Sequence, residues 1–217
     1  MKWFIEDSKA FNLDKEFLER KIVKIKKKIL DAYFIANEIE GEVILPLLNI
    51  SFNKIKHVEI QALSNSVLIR LVRNLPATEN EEVREIVYLG EIEIPGKIPH
   101  KHEHSKVKIE VKINWFQNVL KKLGVSEEEK EAYIKKVNES SERIFKALTH
   151  AGELEAQTVI IIDGEIEEHF KTLILKTVEI IAKSSETAYI YFTEEHIRTE
   201  TILRHVFRMG KVNIDFP

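Results

Sequence analysis

The spacing of apolar residues changes near Gly41, and this change constrains the fold more than any other feature of the sequence. From Asn12 or Asp14, either of which is a suitable helix cap, intervals of three and four alternate up to Gly41. This spacing predicts one long helix with a narrow apolar seam. The seam consists of Leu18, Ile22, Ile25, Ile29, Ala32, Ala36 and Ile39. From residue 42 to 113 the period is two, which predicts β-strands.

Five strands are predicted in this second region, near residues 43–50, 55–63, 66–73, 85–94 and 106–113. In the last of them, four β-branched residues between Val107 and Ile113 alternate with charged residues. Such alternation is typical of an antiparallel sheet with one buried face and one face in water. Short connections between the segments favour hairpins.

A second long helix is predicted over residues 126–152, after a short helix at 114–123. Ser126 and Glu129 have the spacing of a capping box at its start. Its apolar residues again recur at intervals of three and four. The two long helices are therefore expected to pair, either with each other or across the axis of a dimer, and the spacing does not decide between these arrangements.

The last 65 residues change pattern once more, because the run Thr158–Ile162 is apolar on both faces. The predicted order is a strand at 158–162, a helix at 165–183, a strand at 189–192, a helix at 195–209 and a strand at 212–216. This βαβαβ order is typical of a small parallel sheet.

The predicted fold class is therefore α+β. An N-terminal long helix with an antiparallel β-sheet occupies residues 1–124, a connecting long helix occupies 125–152, and a Rossmann-like βαβαβ unit with a small parallel sheet occupies 153–217.

Four residues that follow the predicted parallel strands are candidates for ligand binding: Asp163, Glu165, Thr193 and Glu194. In open parallel sheets, ligands bind beyond the carboxyl ends of the strands. Three carboxylates without a lysine or arginine predict a cationic ligand or a divalent metal as the cofactor. The alternative is that acidic residues occur there only because they favour helix N-termini.

Three histidines, His100, His102 and His104, alternate just before the strand at 106–113. An extended chain would place their imidazoles on one face, roughly 6.5–7 Å apart, so that two of them are candidate metal ligands. A polar loop in which histidines cluster is the alternative.

Several functions are excluded by missing motifs. The chain has no cysteine, so disulfides and cysteine-ligated metals are ruled out. No GxGxxG or GxxxxGK[ST] occurs, and no NAD, FAD or P-loop nucleotide site is expected. The 33 basic and 36 acidic side chains give a net charge of −3, which does not exclude nucleic acid. Tyr88 is the only tyrosine or tryptophan of the five predicted antiparallel strands, so nucleic acid is not an expected partner. No membrane span is expected either.

The composition, with 31 Glu, 25 Lys and 30 Ile but only 3 Gln and 2 Met, indicates a thermophilic source, and the absence of cysteine indicates a cytoplasmic location. The missing catalytic motifs favour a non-enzymatic binding or assembly module that forms a homo-oligomer through its long helices. The alternative is a divalent-metal-dependent hydrolase that uses the carboxylates at the ends of the parallel strands.

Overall fold

A computed structural model of the chain describes residues 1–4, 11–50, 56–76, 81–95, 110–115, 124–163, 177–184, 187–198 and 201–215. This described part contains ten β-strands and four α-helices. The strands are β1 (Lys2–Trp3), β2 (Gly41–Ile50), β3 (Lys56–Ala62), β4 (Val67–Leu75), β5 (Glu81–Glu91), β6 (Glu110–Trp115), β7 (Gln157–Asp163), β8 (Thr177–Ala182), β9 (Thr187–Arg198) and β10 (Thr201–Asp215). The helices are α1 (Lys15–Lys24), α2 (Lys26–Glu38), α3 (Glu127–Glu139) and α4 (Ser141–Leu154).

Eight of these strands close into a β-barrel. Their order around the barrel is β5-β4-β3-β2-β7-β8-β9-β10, and β10 pairs back onto β5 between Ile202↔Ile86 and Phe207↔Glu81. Every pairing among the described strands is antiparallel. The short β1 pairs with the end of β5 at Gly90 and Glu91, and β6 pairs with the last six residues of β10.

The predicted α+β fold with a parallel βαβαβ unit is wrong. The segment predicted as a helix at 195–209 contains the last four residues of β9 and the first nine of β10, and the one at 165–183 contains β8. The physical reason is that both faces of these strands are covered. Val159 and the adjacent Ile160 are both fully buried, each in a different apolar cluster. A strand buried on both faces loses the alternation that distinguishes it from a helix or from a parallel strand.

The five strands predicted between residues 42 and 113 are confirmed, with bounds that differ by a few residues from those observed. Two predicted helix starts are confirmed as well. The Asp14 carboxylate accepts a hydrogen bond from the backbone N–H of Phe17, and Ser126 with Glu129 forms a complete capping box. Local hydrogen-bonding chemistry determines these features, so a sequence pattern is enough to find them.

The two predicted long helices are each divided, the first at Ile25 and the second at Ser140. All four helices bury their apolar residues in the same cluster as one face of the barrel wall. The buried seam residues are Leu18, Ile22, Ile29, Ala32, Ala36, Ile39, Tyr133, Val137, Ile144, Ala147 and Ala151. The chain therefore covers these seams itself. Homo-oligomer formation stays a prediction, and a second copy would have to bind at another surface.

Two ladders join the strands β2–β5 from the first half of the chain to the strands β7–β10 from the second half: β2 pairs with β7, and β5 pairs with β10. Within the described ranges, none of the four helices is long and apolar enough to cross a lipid bilayer.

Candidate functional site inside the barrel

The strands of the barrel have two faces: one packs against the helices, and the other lines the barrel interior. Burial raises the pKa of Glu179 on β8, and the charged groups close enough to modify it include Arg70 on β4. In the eight-strand ring, β4 and β8 are four strands apart in either direction, so their side chains lie on opposite walls. Arg204 on β10 and Glu42 on β2 interact across the same ring. Charges on opposite walls of a barrel come this close only if both point inward. The interior of an eight-stranded barrel has room for side chains or for one small ligand, and the helices lie outside it.

The interior carries a group of charged and polar side chains that we call the charged belt. Its members are contributed by seven of the eight strands: Glu42, Glu59, Gln61, Arg70, Arg84, Tyr88, Glu179, Glu195 and Arg204. Five of them are almost inaccessible to solvent, namely Glu42, Gln61, Arg70, Glu179 and Arg204. Charged side chains are rarely buried so deeply unless they are paired or serve a ligand.

On one wall of the belt, Arg70 is neutralised by Glu59. The two residues are directly opposite each other on β4 and β3, and Arg70 Nε donates a 3.0 Å hydrogen bond to Glu59 Oε2. His57 Nε2 lies 2.8 Å from the other carboxylate oxygen. Burial acts to raise the pKa of Glu59, but His57 and Arg70 outweigh it, so the pKa is below its ordinary value. Glu59 is therefore ionised at neutral pH.

On the other wall, Arg204 bonds chiefly to Glu195. Its Nε and Nη2 donate to the same Glu195 oxygen at 3.1 and 2.8 Å. Burial acts to lower the pKa of Arg204, but Glu179, Glu42 and Glu195 outweigh it and raise the pKa above its ordinary value. The guanidinium is therefore a permanent positive charge shared by three carboxylates.

Glu179 is only 1% exposed, and its hydrogen-bonding capacity is not used by any described residue. Arg204 Nη1 lies 2.8 Å from Glu179 Oε2, which is an ion-pair distance, but the angle does not make a hydrogen bond. Gln61 has a second unused acceptor in the belt: its Nε2 donates to Glu42 at 2.8 Å, while its Oε1 receives no hydrogen bond from the described residues. The belt therefore contains three buried oxygen atoms that accept no hydrogen bond from a described residue, and burying such acceptors costs free energy.

An apolar and aromatic surface adjoins the belt within the same interior. It comprises Ile44, Val159, Ile181, Tyr191 and Val206, with Ile161 and Tyr189 partly buried beside them. Tyr191 is directly opposite Glu179 in the β8–β9 ladder, and Ile161 is opposite it in the β7–β8 ladder. The buried carboxylate therefore has an apolar neighbour on each side.

The structure places two of the four sequence-predicted ligand residues on the interior face. Asp163 ends β7 and pairs with Thr177, which pairs in turn with Thr193 on β9. Asp163 and Thr193 are thus two strands apart, the first exposed and the second buried. Glu194 pairs through its backbone with His205. Glu165 and the three histidines His100, His102 and His104 lie outside the described residues.

No group of three or more acidic or histidine side chains is arranged to hold a metal ion in the described part of the chain. The charged belt itself was not predicted from the sequence. A signal was present, because Arg70 and Glu179 each interrupt a run of apolar residues, at 67–72 and 178–182 respectively. Arg70 fits equally well on a solvent-facing side of a strand, and Glu179 fell within a predicted helix, so the pattern did not separate a charged interior from a wet surface.

Comparison with known proteins provides no relative for this chain. No protein-family model matches it, and neither a curated protein sequence nor a solved structure matches it.

Proposed function

We propose that the protein is a binding module that takes a small, amine-bearing cation into its barrel. One observation carries this proposal: Glu179 is buried, points into the interior and has two carboxylate oxygens without a hydrogen-bond donor among the described residues. The unused Oε1 of Gln61 adds a third acceptor. An ammonium group has three N–H donors and a positive charge, so it complements this set of acceptors.

An anionic ligand fits the charged belt poorly, because the three arginines of the belt already have carboxylate partners. Arg70 bonds to Glu59, Arg84 to Glu82, and Arg204 to Glu195. An anion would have to displace one of these carboxylates and leave it buried without its cation. Breaking a buried ion pair in this way costs about 3–5 kcal/mol.

A metal-dependent hydrolase, the alternative from the sequence, loses its structural basis because the strands whose ends it required are antiparallel. An organic cation also needs fewer carboxylates than a divalent ion does, since its own N–H groups point to separate acceptors. The cytoplasmic location inferred from the cysteine-free sequence is compatible with a soluble amine as ligand.

The proposal is tested by calorimetric titration with n-butylamine, a simple alkylammonium ion, and with inorganic triphosphate. We expect butylamine to bind and triphosphate not to bind. In the variant Glu179→Gln, butylamine affinity should fall roughly 10- to 100-fold, because a hydrogen bond to a charged group is lost.

The matched control is Glu85→Gln, which removes a carboxylate from an ion pair with Arg73. These residues occupy the positions of β4 and β5 that alternate with the belt residues Arg70 and Arg84, so butylamine affinity should not change. Absence of butylamine binding to the parent protein, or tighter binding of triphosphate, would refute the proposed function.

Glu179 should also make stability depend on pH. Its pKa is raised above the ordinary value of 4.5 by burial, with Arg204 opposing and Glu42 adding to the shift, and with Arg84 and Arg70 opposing more weakly. Between the unfolded and folded pKa values the folded state binds the extra proton, so stability falls as pH rises through this window. We therefore expect Glu179→Gln to melt higher than the parent at pH 8, by a margin that shrinks towards pH 4. A margin that is constant across this range would contradict the assignment.

A further inference from the structure

We infer that the preferred ligand is an α,ω-diamine with four or five carbons between its nitrogens, held by Glu179 at its inner end and by Asp163 at its outer end. This inference rests on the proposed function. It adds the length of the ligand and names Asp163 as the residue that selects for this length.

Asp163 and Glu179 are diagonal neighbours on the interior face. Glu179 is directly opposite Ile161, and Asp163 is two residues further along β7, on the same side of the sheet. Diagonal neighbours in an antiparallel pair have Cα atoms roughly 7–8 Å apart. The two carboxylates therefore stand within the span of one small molecule.

The two carboxylates differ in depth. Glu179 is inaccessible to solvent, whereas Asp163 is the last residue of β7 and is exposed. The backbone oxygen of Asp163 accepts a 3.1 Å hydrogen bond from Lys136 Nζ, but its carboxylate makes no ion pair with any described residue. A ligand that reaches from the interior to the barrel end would meet first a buried and then an exposed negative charge.

The surface between these charges suits a hydrocarbon chain. Ile161 and Tyr191 flank Glu179 on the two neighbouring strands, and the buried Thr193 follows in the row of Asp163. A chain of four or five methylene groups separates two ammonium nitrogens by about 6–7.5 Å when extended. This length is close to the roughly 7–8 Å expected between the Cα atoms of Glu179 and Asp163, while a chain of two carbons is too short to span it.

The test compares n-butylamine, 1,4-diaminobutane, 1,5-diaminopentane and 1,2-diaminoethane by calorimetric titration. The longer diamines should bind roughly threefold to fivefold more tightly than butylamine, because the second ion pair is exposed and therefore weak. 1,2-Diaminoethane should gain nothing over butylamine. In Asp163→Asn, the advantage of the longer diamines should disappear while butylamine affinity is kept.

The retained butylamine affinity shows that Asp163→Asn is folded. Glu155→Gln, which alters another exposed carboxylate at the end of α4, should leave all four affinities unchanged. If butylamine binds but the diamines bind no better, or if Asp163→Asn keeps their advantage, the diamine inference is overturned and the proposed function stands. If none of the amines binds to the parent protein, both are overturned.

Discussion

Replacing Glu59 by glutamine is expected to lower the free energy of unfolding by about 3–5 kcal/mol. Arg70, which is 3% exposed, would lose the only carboxylate to which it hydrogen-bonds among the described residues. The glutamine amide oxygen can still accept one hydrogen bond, but it does not neutralise the guanidinium. Loss of the hydrogen-bonded counter-charge of a buried charge is among the few changes that cost this much. Urea unfolding of parent and variant measures the difference.

The loss should depend on pH with a definite sign. The pKa of Glu59 is lowered from 4.5, so its contribution is complete above that value and is lost as pH falls through the folded pKa. The difference between parent and Glu59→Gln should therefore shrink in acid. The control Glu85→Gln breaks a more accessible ion pair with Arg73 and should cost about 1 kcal/mol or less. If the two variants lost the same free energy of unfolding, burial would not make the Glu59–Arg70 pair contribute more than a more accessible ion pair does.

The sequence was sufficient where structure depends on local chemistry. The strands β2 to β5 were predicted because their hairpin partners are near in sequence, and β6 because β-branched residues alternate with charged ones there. The helix starts at Asp14, one of the two candidate caps, and at Ser126 were predicted because a capping side chain bonds to a backbone N–H only three residues away.

Closure of the barrel could not be predicted in this way. It depends on pairing between β5 and β10, whose residues Ile86 and Ile202 are more than a hundred positions apart in the sequence. Once the barrel closes and the helices cover its outside, the strands after residue 156 are buried on both faces. The run from Val159 to Ile162 then resembles a strand of a parallel sheet, which is why the βαβαβ interpretation was wrong.

The candidate site was even harder to predict from the sequence, because its side chains become buried only when the barrel closes. A glutamate at position 179 would be solvated on an exposed helix surface, whereas burying its charge inside the barrel costs free energy. Asp163 and Thr193 were selected for their positions at the ends of predicted parallel strands. They lie on the interior face for a different reason, which is that Asp163, Thr177 and Thr193 form one row across three antiparallel strands.

Replacing Gly41 by alanine is expected to destabilise the protein by about 3 kcal/mol. Gly41 begins β2 and is opposite Ile160, where the first half of the chain joins β7. A Cβ atom there would lie 2.1 Å from the carbonyl oxygen of Val159, which is backbone and cannot rotate away. The two strands would have to separate, and the β2–β7 ladder is one of the two seams that join the ends of the sequence into one barrel. Urea unfolding should show the loss, together with a lower thermal midpoint.

Gly152→Ala supplies a control of opposite sign. Gly152 lies in α4, and no atom comes within 4 Å of the position that a Cβ would take. Alanine there restricts the unfolded chain and favours the helix, so the variant should be stabilised by about 0.5–1 kcal/mol. The same substitution thus lowers stability where the backbone of a neighbouring strand is in contact and raises it where space is open. If Gly41→Ala were as stable as the parent, β2 and β7 would not approach each other as closely as the closed barrel requires.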